Sequence, residues 1–292
     1  MTHVFPPFEP EKSDKRRRKL SFARRQVPVR ILVPTILTLL ALCAGLTAIR
    51  MAIELRFDVA IVALVLAAAL DAVDGRVARL LKATSRFGAE LDSLADFVNF
   101  GVAPAIIIFT WALGDVKQFG WIVVMIFALC MALRLARFNV SLDNTDQPVW
   151  KSAYFMGAPA PAGAILALLP LYAEGMGVPA GVMPTTVVLA YTLVISFLVV
   201  SNLPTYSGKL VGQRVAREYV LPVFVLVALF VAVLLTYPYI TLTIGCLVYL
   251  LTIPVSVYTY REDQAKAVET AKAQNGASKK TQEEEVRAPQ SP

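Results

Sequence analysis

From about residue 31 to about residue 260 the chain is a series of long apolar stretches separated by short polar links. A membrane-crossing helix needs about 20 mostly apolar residues. Eight stretches meet that length, at about 31–52, 57–80, 88–112, 118–138, 156–174, 180–201, 219–237 and 239–259. Only Tyr237-Pro238-Tyr239 separates the last two, so six or seven spans are the alternatives to eight. The pattern predicts an all-α, polytopic transmembrane helical bundle. It divides the chain into a basic N-terminal arm (1–30), a membrane domain (31–260) and a polar tail of mixed charge (261–292), expected to start helical and end disordered.

Composition agrees. The 292 residues are 57% hydrophobic and 17% charged, with mean hydropathy +0.62. That leaves too little polar surface for a soluble protein of this size. The formal charge of +7 is concentrated. Lys12, Lys15, Arg16, Arg17, Arg18, Lys19, Arg24, Arg25 and Arg30 crowd the arm. Beside a membrane domain such a block fits the anionic lipids of the cytoplasmic leaflet better than nucleic acid. It is not a signal peptide, because no small-residue cleavage site follows it.

The short loops carry the same bias. With the N-terminus inside, the inner loops hold Arg76, Arg79, Lys82 and Arg86, then Arg134, Arg137 and Lys151, then Lys209, Arg214 and Arg217. The outer loops hold only Arg50, Arg56 and Lys117. The positive-inside rule therefore puts both termini in the cytoplasm of a multi-pass cytoplasmic-membrane protein. Trp111, Trp121, Tyr237 and Tyr239 fall at the outer interface, where an aromatic belt is the default.

Histidine occurs once, as His3 in the arm, which excludes histidine-based catalysis or metal binding in the body. Cys43, Cys130 and Cys246 stand alone in apolar runs, without the paired spacing of a disulfide framework or a thiolate site.

The unusual segment is Asp71-Ala-Val-Asp-Gly-Arg-Val-Ala-Arg79 followed by Gly88-Ala-Glu-Leu-Asp-Ser-Leu-Ala-Asp96. A charge at mid-bilayer costs about 2.5–3.5 kcal/mol on insertion scales, so four aspartates need a cation or a position near the membrane surface. Asp71, Asp74, Gly75, Ala78 and Arg79 share one helix face, as do Gly88, Asp92 and Asp96. A short link makes these helices antiparallel neighbours, so the two acidic faces converge. Carboxylates without histidine or cysteine suit Mg²⁺ or Mn²⁺. Four of them suit two ions about 3.5–4 Å apart, a common clamp on a reacting phosphate. Gly75, Ala78 and Gly88 leave room beside them, and Arg79 is placed to meet a phosphate oxygen or an aspartate. Structural Asp–Arg pairing and an ion pathway lined by aspartates are the alternatives.

Written out, the segment is D-x2-D-G-x2-A-R-x8-G-x3-D-x3-D. It resembles the signature of the CDP-alcohol phosphotransferases, integral membrane enzymes of phospholipid synthesis. Within that family the chain is similar to the bacterial membrane-bound phosphatidylserine synthases over about residues 30–258, including Ala132-Leu-Arg-Leu-Ala-Arg-Phe-Asn139 and Phe155-Met-Gly-Ala-Pro-Ala-Pro-Ala162. The family usually opens its first span with Pro-Asn-x-x-Thr. Here the segment is Pro34-Thr-Ile-Leu-Thr38, with Thr35 in place of the asparagine.

The resemblance implies a six-span catalytic core plus two spans, and a homodimer. It implies that CDP-diacylglycerol gives its phosphatidyl group to L-serine, releasing CMP. Asp71, Asp74, Asp92 and Asp96 would hold two Mg²⁺ or Mn²⁺ ions, with Asp96 also the base on the acceptor hydroxyl. Thr38, Asp74, Gly75, Ala78, Arg79 and Gly88 would bind the nucleotide. Arg134, Arg137 and Asn139 would bind serine, since a guanidinium is the natural partner of a carboxylate. Lys209 is a further candidate for the amino acid or a lipid phosphate, and Pro159 and Pro161 for a pocket wall. The same chemistry with glycerol phosphate, inositol phosphate or choline is the nearest alternative, and a divalent-cation transporter the alternative from another class.

Overall fold

A computed structural model describes residues 29–83, 85–142, 154–179, 183–206 and 217–287. Most of the basic arm, Lys151, Lys209, Arg214 and residues 288–292 lie outside them.

Helix α1 (Val29–Ile53) and helix α2 (Phe57–Leu80) form a close antiparallel pair. Small residues allow this: Thr38, Ala41, Ala48 and Ala52 are buried along α1, and Ala60, Ala63 and Ala67 along α2. Where there is no hydrophobic drive between helices in lipid, such small faces let backbones approach and gain van der Waals contact. The outward faces carry exposed Leu, Ile and Val, as a lipid-facing surface requires.

The links after α1 and α2 close with one device. Leu55 and Lys82 adopt left-handed backbone (φ 58° and 49°). Arg56 N–H then bonds the Met51 carbonyl, and Ala83 N–H the Ala78 carbonyl, each at 2.9 Å. These are Schellman-type helix ends built without the usual glycine.

Helix α3 (Arg86–Asp96) starts at Ser85, whose hydroxyl accepts the Gly88 N–H at 3.0 Å. Directly after Asp96 the helix widens into a π-turn (Phe97–Val102), with Ala103 N–H bonded to the Val98 carbonyl five residues back. Pro104 lacks an N–H and would crowd the carbonyl four residues earlier, so the wider turn accommodates it. Helix α4 (Ala103–Ile108) follows, then a second π-turn (Phe109–Leu113) and a 3₁₀ turn (Gly114–Val116). Helix α5 (Lys117–Leu142) folds back on this run, with Gly120 where any Cβ would strike the Leu113 backbone.

The fifth expected span is interrupted. Helix α6 (Ala160–Ala167) and helix α7 (Leu169–Gly175) meet at Leu168. Pro170 cannot donate to the Leu166 carbonyl, and the Tyr191 hydroxyl donates to it instead at 2.7 Å. Helix α8 (Thr185–Val200), helix α9 (Arg217–Thr236) and helix α10 (Pro238–Arg287) complete the bundle. Helix α10 has 50 residues, about 75 Å, so it continues unbroken from the apolar region through most of the polar tail.

The protein is a helical membrane bundle. Three helical runs among the described residues are long and apolar enough to cross a bilayer (Leu32–Ile53, Arg86–Ser141 and Pro238–Lys266), and Thr185–Val200 and Leu221–Thr236 are shorter apolar helices. The expectation omitted one feature: β1 (Tyr154–Met156) pairs antiparallel with β2 (Pro204–Tyr206), Phe155 opposite Thr205.

Candidate active site

The acidic helices converge as their spacing requires. One carboxylate oxygen each from Asp71, Asp74 and Asp92 lies within 4.8 Å of the others. Asp96 lies close enough to Asp71, Asp92 and Asp74 for their charges to interact. Carboxylates this close repel unless a proton or cation lies between them. Asp92 Oδ1 and Asp96 Oδ1 are buried and have no hydrogen-bond partner among the described residues. Such oxygens are costly unless something outside the protein chain meets them.

Above the carboxylates opens a cavity of about 480 Å³, lined by residues of α1, α2, α3 and α5. Thr38, Asp74, Gly75, Ala78, Arg79 and Gly88, the six expected at the nucleotide, all line it, as do Thr35 and Asp92. The Thr38 hydroxyl donates to Asp74 Oδ2 at 2.7 Å. A Cβ placed on Gly75 would meet no protein atom within 4 Å, so the missing side chain there is open space. The Arg79 Nε donates to the Gly75 carbonyl at 3.1 Å, and Arg79 forms no ion pair among the described residues. Asp71 and Asp96 lie outside the lining.

Ser85, Ala83 and Phe138 also line the cavity and were not expected there. Ser85 carried a signal, since a serine just before a helical run is an N-cap candidate. Phe138 carried none.

The three residues expected at serine diverge. Arg134 is buried, donates from Nε to the Ala158 carbonyl at 2.8 Å and lies over the Phe138 ring at 5.7 Å. Its Nη groups make no hydrogen bond among the described residues, and its charge interacts with Asp96. Both Nη groups of Arg137 are engaged by the chain. Nη1 donates to the Val200 carbonyl (2.9 Å) and Asn202 Oδ1 (2.8 Å), and Nη2 to the carbonyls of Met156 (3.1 Å) and Ser201 (3.2 Å). Asn139 donates from Nδ2 to Ser93 Oγ at 2.9 Å, tying α5 to α3 beside Asp92.

Residues 31–200 match the family model described as CDP-alcohol phosphatidyltransferase, more than half of the chain. The chain belongs to the CDP-alcohol phosphatidyltransferase family. Residues 218–254 match a second model, CDP-alcohol phosphatidyltransferase 2, so the family likeness extends over α9 and into α10. A relative from Mycobacterium leprae, named CDP-diacylglycerol–serine O-phosphatidyltransferase, is 40% identical over 240 residues, 82% of this chain and 78% of the relative. A Helicobacter pylori protein of the same name is 33% identical over 75% of this chain and 88% of its own length. A Saccharomyces cerevisiae protein of that name is 49% identical over 100 residues, 34% of this chain and 36% of its own length.

Proposed function

We propose that this chain transfers the phosphatidyl group of CDP-diacylglycerol to the hydroxyl of L-serine, giving phosphatidylserine and CMP. The names of its relatives support the reaction. The observation that carries it to this chain is the cavity, which sets the nucleotide motif beside Asp74 and Asp92, two of the three convergent carboxylates.

The donor set fits two divalent cations, Mg²⁺ or Mn²⁺. It is all carboxylate, its oxygens converge, and two of them are buried without partners. Asp71, Asp74, Asp92 and Asp96 would hold the ions, which when bound would offset charge on the diphosphate.

The chain's own residues do the rest. Gly75 leaves space for the diphosphate to approach the α2 backbone, and Arg79 meets a phosphate oxygen. Thr38 holds Asp74 in orientation. Asp96 takes the proton of the serine hydroxyl as its oxygen bonds to the phosphorus that bears diacylglycerol. The bond from that phosphorus to the bridging oxygen breaks, and CMP leaves. Arg134 holds the serine carboxylate through its unengaged Nη groups. Arg137 and Asn139 fix the walls around it, Arg137 through the β ladder and Asn139 through Ser93.

In the same reading the membrane domain (31–260) crosses the cytoplasmic membrane eight times, with both termini and the site facing the cytoplasm. The arm (1–30) lies on anionic lipid, the tail (261–292) is cytoplasmic and the enzyme is a homodimer. The positive loops support this orientation.

An acceptor panel tests the reaction. With CDP-diacylglycerol and Mg²⁺ or Mn²⁺, L-serine should accelerate CMP release, and glycerol phosphate, inositol phosphate and choline should not. Release driven by one of those alcohols and not by serine would reject the acceptor.

A further inference from the structure

Helix α10 turns one face inward from Leu242 to Asp263. Leu242, Cys246 and Ser256 on that face are buried, Tyr249, Tyr260 and Asp263 partly so. The steps of three, four and seven keep them on one stripe. Its polar end engages the β ladder. The Tyr154 hydroxyl, at the first residue of β1, donates to Asp263 Oδ2 at 2.7 Å. The Tyr154 ring meets the Tyr260 ring edge-on, centroids 5.1 Å apart.

The ladder needs such support, because two strands of three residues are not stable alone. Its far end is held by other bonds. Gly157 N–H donates to the Leu203 carbonyl at 2.8 Å, and Thr205 Oγ1 donates to the Gly157 carbonyl at 2.8 Å. The next residue, Ala158, supplies the carbonyl that holds Arg134 Nε. Tyr154 and Ala158 are four residues apart, at most about 13 Å, with the chain turning at Gly157 after the strand ends. A displacement at Asp263 therefore reaches the Arg134 guanidinium through one short, hydrogen-bonded segment.

We propose that the distal part of α10 is a positioning element for the acceptor. Asp263 and Tyr260 hold Tyr154, Tyr154 fixes β1, and β1 sets the Arg134 fork. The proposal rests on Arg134 as the residue that holds the serine carboxylate. It makes the polar tail part of acceptor recognition, without contact between Asp263 and either substrate.

The test uses the full chain in lipid nanodiscs with CDP-diacylglycerol and serine. Asp263→Ala and Tyr154→Phe should each raise the serine KM about five- to tenfold, because loss of positioning weakens binding of the positioned group. The kcat and the KM for CDP-diacylglycerol should stay within about twofold. Asp263→Asn retains an acceptor oxygen and should restore most of the serine KM. The double variant Tyr154→Phe/Asp263→Ala should be no worse than either single change, since both remove one bond. An unchanged serine KM in both single variants overturns the proposal, as does a fall in kcat together with melting temperature, which marks a merely structural bond. Arg134→Lys separates the two levels. If it raises the serine KM while Asp263→Ala does not, the positioning role alone fails. If Arg134→Lys leaves the serine KM unchanged, the acceptor assignment fails and this proposal with it.

Discussion

The Thr38 hydroxyl on α1 reaches across to Asp74 Oδ2 on α2 at 2.7 Å. This single bond links the first helix to the acidic face of the second. It occupies one lone pair of Asp74, whose carboxylate also meets those of Asp71 and Asp92. Thr38→Val keeps the shape and removes the donor. Transfer should fall about tenfold, the equivalent of one hydrogen bond of about 1.4 kcal/mol. The thermal midpoint should barely change, and steady-state kinetics beside a melting curve check both.

Two glycines near the site should respond in opposite ways. Gly75 faces open cavity, and alanine there touches nothing. Gly75→Ala should therefore keep or slightly raise stability, by about 0.5–1 kcal/mol for a helix interior, while raising the KM for CDP-diacylglycerol. Gly157 has φ +80°, and a Cβ there would lie 2.5 Å from the Val199 carbonyl oxygen. Gly157→Ala should lower the melting temperature and the yield of folded protein. Purified yield, melting and lipid-substrate KM for both variants check the contrast.

Arg137→Lys should destabilise the protein. The guanidinium fork serves four acceptors drawn from Met156 and from Val200 to Asn202. An ammonium is a point charge with three donors and cannot span them. The expected cost is about 1–3 kcal/mol, read as a lower melting temperature in detergent.

Metal addition to the chelated protein gives a test independent of turnover. The three convergent carboxylates, and Asp96 beside them, repel one another without a cation. Mg²⁺ or Mn²⁺ should raise the melting temperature of the wild-type protein, since a ligand of the folded state stabilises it by mass action. Asp71→Asn/Asp92→Asn should abolish that rise. Calorimetry after chelation and re-addition measures it.

The acidic motif was legible because helical periodicity fixes which residues share a face, and because charge is rare in the surrounding sequence. Asp71, Asp74 and Asp92 meet as their spacing requires; that Thr38 on α1 joins the other nucleotide residues at one cavity followed from the family resemblance and not from spacing. The environment of Arg137 was not legible. Its acceptors lie 19 to 65 residues away, at Met156 in a three-residue strand and at Val200 to Asn202, where α8 ends. From sequence it looks like Arg134, three residues earlier on the same face. The break at Leu168 depends on Pro170 and on a partner, Tyr191, that only the packed bundle supplies. The π-turn after Asp96 likewise answers to Pro104, which by sequence alone is equally compatible with a kink or a helix start. The left-handed helix ends at Leu55 and Lys82 carry side chains that favour ordinary helix, so no glycine marked them.

In the proposed reaction the carboxylate cluster carries phosphatidyl transfer to serine, with Asp96 taking the hydroxyl proton. The most direct measurement follows isotope-labelled serine into lipid and CMP into solution, for wild-type protein and Asp96→Asn, with CDP-diacylglycerol binding measured on both. The wild type should form one labelled phosphatidylserine per CMP released. Asp96→Asn should lose about a hundredfold or more in kcat with lipid binding retained. Full turnover by Asp96→Asn, or CMP release without labelled lipid, would contradict the proposed reaction.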